Sequence, residues 1–353
     1  MERDDKPLVS VIVTVYNREK WIEKCVNHLL VEQTFQDFEI LLVDNGSTDH
    51  SVAVMKECQK KHPERIRIIL ASDNVGGGKN LPADSRQRGM ENAKGKYFTF
   101  CDSDDRFLEN GLELLVNAAI INQADMVIGD YITVDEKGHK ISEYKFDHNY
   151  QHGNVSEVII YNNCMCQPRL FRSEFARNNH INFPVGSWFE DTCFVLEFGY
   201  VANKVVITNQ IVYEYLRNKS STTNQSRNIK LNVENMPVRW FESVFKNHLE
   251  DYEGIKNSKL FIWKCISIIM EIVYNPAVVH FGEISPREAG RIAKKFGKLI
   301  RQYCAEYKHN PYFQSNELKD IVGSKYFYSV FLYKILLSLH LDVLAACIVA
   351  LIF

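Results

Sequence analysis

Surplus positive charge is missing from this chain: 42 Lys and Arg stand against 44 Asp and Glu over 353 residues, a net charge of −2. No extended nucleic-acid surface is expected without such a surplus, and any basic patch must be local. Metal-ligand spacing is missing too. Among the nine cysteines only Cys164 and Cys166 lie close together, and C-x-C is shorter than a zinc knuckle. Reduced cysteines in a cytosolic chain are the expected state. The start, "MERDDKPLVSVIVTVYN", is acidic before its apolar run and has neither a basic leader nor a small-residue cleavage site, so no export signal is expected. Long apolar runs are scarce. At the far end, "FYSVFLYKILLSLHLDVLAACIVALIF", the uninterrupted part from Val343 to Phe353 is 11 residues, whereas a membrane span needs about 20. Such a helix either lies on a membrane surface or a partner, or packs on the chain's own core. Internal repeats and low-complexity tracts are absent.

What is present is an alternation. "LVSVIVTV", "FEILLVD", "IRIIL", "YFTFC" and "DMVIGD" are short runs of β-branched and aromatic residues, the pattern of buried parallel strands. Between the first two, "EKWIEKCVNHLLVEQ" places Trp21, Ile22, Cys25, Val26, Leu29 and Leu30 on one helical stripe. From Leu8 to about Asp130 this predicts a doubly wound α/β sheet, mostly parallel, with helices on both faces. From about Asn228 the pattern becomes helical, and "SPRE" marks one helix start, with Ser285 as cap, Pro286 in the first turn and Glu288 completing a capping box.

In open parallel sheets, ligands sit beyond the carboxyl ends of the strands. The segments that follow the strands are "TVYN", "DNGSTD", "SDNVGGGKN" and "DSDD", all polar and expected to converge on one edge. "VGGGKN" is not a phosphate loop, because the spacing between its glycines is wrong and Asn80 follows Lys79. Asp102, Asp104 and Glu113 fit positions 1, 3 and 12 of a calcium loop, but Arg106 and Phe107 at positions 5 and 6 exclude it. A hard divalent cation, Mg2+ or Mn2+, held by one or two carboxylates plus ligand phosphates, passes both tests.

The ordered motifs "VSVIVTVYN", "QTF", "LLVDNGSTD", "CDSDD" and "SWFED", ending near "YEYLRNKSST", resemble those of the family 2 glycosyltransferases, inverting enzymes of the GT-A fold. The resemblance covers about the first 225 residues. It implies a nucleotide-diphospho-sugar transferase domain over 1–226, with a donor half to about 130 and an acceptor half from 131 to 226. A helical C-terminal region, 227–353, lies outside it. The implied reaction moves a sugar from a UDP-linked donor to a hydroxyl of a glycan or lipid-linked acceptor in cell-surface polysaccharide synthesis, with a divalent cation. The implied place is the cytoplasm or the cytosolic membrane face.

Residue by residue, the resemblance implies that Thr14, Val15, Tyr16 and Asn17 meet the donor's base and ribose, and that Asp44 and Asn45 receive the uracil edge. Asn45 stands where the family usually has a second Asp. Arg86 falls near the donor phosphates, although the loop before it is longer than usual. Asp102, Ser103 and Asp104 reach the ribose and the cation, with Asp104 and Asp105 as candidate ligands. Asp191 aligns with the catalytic base and Glu190 with its positioning neighbour, while Arg217, Ser220 and Thr222 match a segment that closes over the diphosphate. Trp188 and Arg169 are the acceptor-side candidates. No His occurs between Asp191 and Ser226, so the histidine ligand of some relatives is absent. Two rival readings are a nucleotidyltransferase, which should carry a Gly-rich basic loop after the first strand, and a silent sugar-nucleotide-binding module.

Overall fold

All five apolar runs become strands, because β-branched and aromatic side chains fit a pleated surface that is covered by other elements. The computed structural model describes residues 6–70, 81–146, 164–218, 230–249, 258–278 and 283–352. It divides into two compact units: Met1–Gly186 with Glu190–Asn218, and Ser187–Phe189 with Lys219–Phe353.

The first unit holds a nine-stranded sheet of order β3-β2-β1-β4-β8-β6-β9-β5, with β7 paired to β6. Its strands are β1 (Val9–Val15), β2 (Phe38–Asp44), β3 (Ile66–Ile69), β4 (Tyr97–Asp102), β5 (Arg106–Phe107), β6 (Met126–Val134), β7 (Lys140–Tyr144), β8 (Arg169–Arg172) and β9 (Val205–Leu216). β1 to β4, β6 and β9 run one way, and β5, β7 and β8 oppose them. The sheet is therefore mostly parallel, the expected architecture, with β8 inserted antiparallel between β4 and β6.

Among the described residues the helices of this unit are α1 (Ile22–Asn27), α2 (Ser51–Lys61), α3 (Pro82–Asn92), α4 (Gly111–Asn122), α5 (Ser173–Asn178) and α6 (Glu190–Val201). α3 packs over β1 and β2, and α4 over β6 and β9. In α1 the predicted stripe is realised, with Ile22, Cys25 and Val26 buried and Leu29 buried in the turn that follows.

Register decides what meets at the carboxyl edge. Thr14 pairs with Asp102 and Val15 with Asp44, so the ends of β1, β2 and β4 lie side by side. Arg217 follows β9 on the same edge, its N–H donating to the Val134 carbonyl at the end of β6 (2.9 Å). The polar loop "SDNVGGGKN" lies outside the described residues.

An aromatic cluster fixes α6 to the sheet. Phe194 stacks on Phe183 with centroids 4.1 Å apart and planes 7° from parallel, and meets Phe171 edge-on at 5.2 Å. Phe198, one turn on, meets Phe171 at 5.0 Å. Because Phe98 and Phe171 are cross-strand partners on β4 and β8, the start of α6 is positioned by packing rather than by loop conformation.

The second unit is helical: α7 (Val238–Leu249), α8 (Ser258–Val278), α9 (Pro286–Tyr303), α10 (Asn316–Val322), α11 (Ser324–Ser338) and α12 (Asp342–Ile352). Phe241 and Phe296 meet edge-on at 5.5 Å within its core, and Trp263 is 1 % exposed. The Ser285 hydroxyl caps α9 by accepting the Glu288 N–H (3.3 Å). The Glu288 carboxylate, expected to complete a capping box, instead accepts from Arg291 (2.6 Å). α12 seats on α9 at two glycines, where a Cβ would come within 2.7 Å of Cys347 Sγ at Gly290 and 2.4 Å of the Asp342 carboxylate at Gly297.

Truncating Phe194 removes a ring with five aromatic neighbours beside the sheet. Phe194→Ala is expected to destabilise the first unit by about 3–5 kcal/mol. A urea midpoint within error of the unaltered chain would show that the cluster does not hold α6.

Candidate active site

The loops after β1 and β2 are tied together by short side-chain bonds. Asn17 adopts a left-handed backbone (φ 53°), which Asn tolerates better than most residues. Its N–H donates to Ser47 Oγ (3.0 Å), and its Oδ1 accepts the Thr48 N–H (2.8 Å). The Asp44 carboxylate accepts the N–H groups of Gly46 (2.9 Å) and Ser47 (3.1 Å). Val15 is buried and contributes only backbone, its carbonyl accepting the Asn45 N–H (2.7 Å). The Asn45 amide is engaged at both ends, donating to the Leu81 carbonyl (3.0 Å) and accepting from Arg88 (3.4 Å). Tyr16, 40 % exposed, presents its ring at this edge.

The acidic turn divides its three carboxylates between two tasks. Asp105 is buried and holds the turn to β9: Tyr213 Oη donates to one oxygen (2.9 Å) and the Leu216 N–H to the other (2.8 Å). Burial, then Asp102 and Asp104, push its carboxyl well above the ordinary range, against those two hydrogen bonds. The Tyr213 hydroxyl also accepts the Asp102 N–H (3.1 Å), so one phenol fixes both ends of the turn. Ser103 is buried within it.

Asp102 and Asp104 remain directed to the site. Asp102 accepts from Thr14 Oγ1 (3.3 Å) and Arg86 (3.3 Å). Asp104 accepts from Asn218 Nδ2 (2.6 Å) and has Arg18 Nε at 3.9 Å. Burial and then Asp102 raise the Asp104 carboxyl, with Arg18 opposing.

Arg86 is the hub. Its guanidinium is buried, hydrogen-bonds Glu190, and lies 3.1 Å from Asp191 and 3.3 Å from Asp102. One cation therefore joins the acidic turn of β4 to the first turn of α6. Burial opposes the Arg86 charge, but Asp191, Asp102 and Glu190 outweigh it and hold its pKa well above the ordinary value. Glu190 is pushed from 4.5 up to about 7 by burial and then by Asp191, with Arg86 pulling it down. Asp191 is raised by burial, Arg86 opposing most strongly. Both carboxylates begin α6, where the helix dipole favours negative charge.

The other sequence candidates lie outside the Arg86 cluster's direct contacts. Arg169 on β8 is 1 % exposed, its guanidinium over the Phe146 ring at 5.1 Å. Trp188 belongs to the second unit, where its backbone N–H donates to the Asn235 carbonyl (3.0 Å). Arg217 is exposed at the end of β9, and Ser220 and Thr222 lie outside the described residues. Sequence reasoning missed Arg18, Arg88, Tyr213 and Asn218. Only Arg18 left a usable signal, as a cation directly after "VYN" in the loop expected to face the acidic turn.

A divalent cation is tested here by its donor set. Among the described residues no group of three or more His, Cys, Asp or Glu side chains could hold a metal ion by itself. Asp102 and Asp104 supply hard oxygen ligands of the kind Mg2+ and Mn2+ accept alongside phosphate oxygens, so the residues fit a cation that arrives with its ligand. Asp105 fits poorly, since both its oxygens already bind β9.

A mostly parallel sheet whose carboxyl edge gathers an acidic turn and a carboxylate-bearing helix N-terminus defines the class, a glycosyltransferase of the GT-A fold. The chain belongs to glycosyl transferase family 2, whose pattern matches residues 10–186. It is similar to glycosyltransferase GlyG of Streptococcus pneumoniae, 32% identical over 226 residues, 61% of this chain and 72% of that protein. It is also similar to the poly(ribitol-phosphate) beta-glucosyltransferase of Bacillus spizizenii, 30% identical over 211 residues. That match covers 59% of this chain but 32% of the relative's own length. Among solved structures, residues 1-349 of S. aureus TarS superpose with a TM-score of 0.64 at 19% identity, covering 92% of this chain and 90% of that one. The same TarS fragment has been crystallised with UDP-GlcNAc. At such identity the likeness speaks for the fold.

The cluster makes stability depend on pH. Between about pH 4.5 and 7 folded Glu190 keeps a proton that the unfolded chain has released, so its contribution to stability falls as pH rises through that window. Arg86→Met removes the opposing charge. It is expected to cost about 3–5 kcal/mol near pH 8 and less near pH 5, where the freed carboxyls take up protons. Urea denaturation at the two pH values measures this, and an equal loss at both would refute the coupling.

Proposed function

We propose that the protein is a cation-dependent inverting glycosyltransferase that moves one sugar from a UDP-linked donor to a hydroxyl of a glycan or lipid-linked acceptor, in cell-surface polysaccharide synthesis. The observation that carries the reading is the Arg86 bridge, which sets Asp191 and Asp102 around a single guanidinium at the sheet edge. The glucosyltransferase relative and the UDP-GlcNAc complex of TarS support the acceptor class and the UDP donor.

In this reading Tyr16 and Asp44 receive the base. Asn45 acts behind them, because its amide is already bonded to Leu81 and Arg88. Thr14, Asn17 and the turn around Ser103 shape the ribose site. Asp104, with Asp102, holds the cation, and Asp105 is assigned to the fold. A bound Mg2+ or Mn2+ supplies Lewis-acid stabilisation of charge on the departing diphosphate. Arg18 neutralises Asp104 in the donor-free protein and stands where it can meet phosphate when the donor arrives. Arg217, exposed just past β9, is the described residue of this segment that can meet the diphosphate.

Asp191 takes the proton of the acceptor hydroxyl as that oxygen bonds to the anomeric carbon and the bond from that carbon to the diphosphate breaks. Inversion follows from attack on the face opposite the leaving group. Arg86 keeps Asp191 ionised against its burial, Glu190 binds the same guanidinium nitrogen as Asp191, and Asp102 binds the other. Arg169 backs the acceptor wall through Phe146, whereas Trp188, buried in the other unit, is given no sugar contact. Work at the cytosolic membrane face completes the reading.

Asp191→Asn is expected to lower transfer at least about 100-fold while UDP binding by calorimetry stays nearly unchanged. Transfer at the unaltered rate would remove Asp191 as the base. Asp104→Ala is expected to weaken UDP binding when Mn2+ is present and to have little effect in excess EDTA. Equal weakening in both conditions would assign Asp104 to the nucleotide rather than to the cation.

A further inference from the structure

The C-terminal unit displays apolar side chains in an ordered way. On α11, Tyr328, Leu332 and Ile335 are exposed, and Leu339 continues the series just past its end. Spacings of four, three and four place them on one stripe. On α12, Leu344, Ile348 and Leu351 repeat at four and three, and Leu351 is 73 % exposed. Among the described residues, every exposed large apolar side chain of this unit falls between Tyr328 and Ile352, whereas those of the catalytic unit are scattered along its chain.

The opposite face of α12 is anchored. Asp342 is buried and paired with Arg301 (3.4 Å), Tyr274 Oη donates to the Asp342 carbonyl (3.4 Å), and the glycines of α9 admit the helix closely. The fold thus holds the apolar stripe outward. Among the described residues no helix is long and apolar enough to cross a membrane.

Charge borders this stripe. Arg287, Arg291, Lys294, Lys295 and Lys298 of α9 are exposed, and Glu288, the one acidic residue of that helix, is held by Arg291. Gly290 and Gly297 mark the line along which α9 meets α12. Lys294 lies four residues after the first and three before the second, so the basic row runs beside α12. From Ser324 to Ile352 the only acidic residue is Asp342, which is buried.

We propose that the α11–α12 face, flanked by the basic row of α9, is a docking surface for an anionic lipid bilayer, with both helices lying in the plane of the headgroups. An apolar stripe beside clustered Lys and Arg matches acyl chains beneath negative headgroups. A second copy of the chain fits less well, because a symmetric contact brings two basic rows together without neutralising them. The proposal does not depend on the glycosyl-transfer reading, and its test needs no turnover.

The full chain is sedimented with vesicles of phosphatidylcholine alone or mixed with phosphatidylglycerol. Binding to the mixed vesicles is expected, weakening as salt rises. The triple variant Lys294→Glu, Lys295→Glu, Lys298→Glu is expected to lose at least about tenfold in partitioning, since each basic side chain near a charged surface contributes about a factor of five. Leu332→Asn with Ile348→Asn is expected to lower it comparably through the apolar term. These positions are exposed, so circular dichroism and urea midpoints should match the unaltered chain. A chain that stays in the supernatant with both vesicle types, or partitioning that neither variant changes, overturns the proposal. Loss of a light-scattering dimer in the Asn variant, without vesicle binding by the parent, assigns the face to a second copy instead.

Discussion

The site depends on one guanidinium placed among three carboxylates. Without Arg86, Asp102, Glu190 and Asp191 would share a partly buried volume with no cation between them. Like charges so placed cannot all ionise, and at least one would take up a proton. The bridge opposes the protonation that burial favours at Asp191 and ties the first turn of α6 to the acidic turn of β4. Because the partners come from α3, β4 and α6, the geometry of the site and its electrostatics are one constraint.

The rest of the catalytic unit delivers those partners to that place. Parallel register brings Thr14, Asp44 and Asp102 to the same edge, and the phenylalanines of α6 hold its N-terminus against β8. Asp105 shows how closely structural and functional acids can be interleaved. It lies next to Asp104 in sequence, yet its hydrogen bonds to Tyr213 and Leu216 make it a latch to β9. With Asp105 so engaged, two carboxylates, Asp102 and Asp104, remain at the edge, the donor number that suits the proposed cation sharing its coordination with phosphate.

The C-terminal unit uses burial differently. Its core is closed around Trp263, Phe241 and Phe296, but α11 and α12 keep apolar side chains outside that core. Solvating such a face costs free energy in proportion to its area, and anionic lipid offers relief that water does not. Buried Asp342, paired with half-buried Arg301, sets which side of α12 faces out. A helix too short to span a bilayer can still lie upon one.

Local pattern was enough to read β1 to β4 and β6, since strand identity depends on runs of β-branched residues and each predicted run became a strand, but β5, β7, β8 and β9 lie outside the predicted runs. The polar segments after those strands could be assigned to one edge for the same reason, as parallel strands share a direction. The role of Arg86 could not be read in this way: its partner Glu190 is 104 residues away, and an arginine near phosphate has the same sequence signature as one among carboxylates. Nor could Asp105 be told from Asp104, because the difference is a tyrosine 108 residues on. The outward stripe of α12 likewise needed the glycines of α9 to orient it. Periodicity and composition are properties of neighbours along the chain and determined the elements and their order. The charge state and duty of each buried acid follow from what the fold packs beside it, which only the tertiary structure decides.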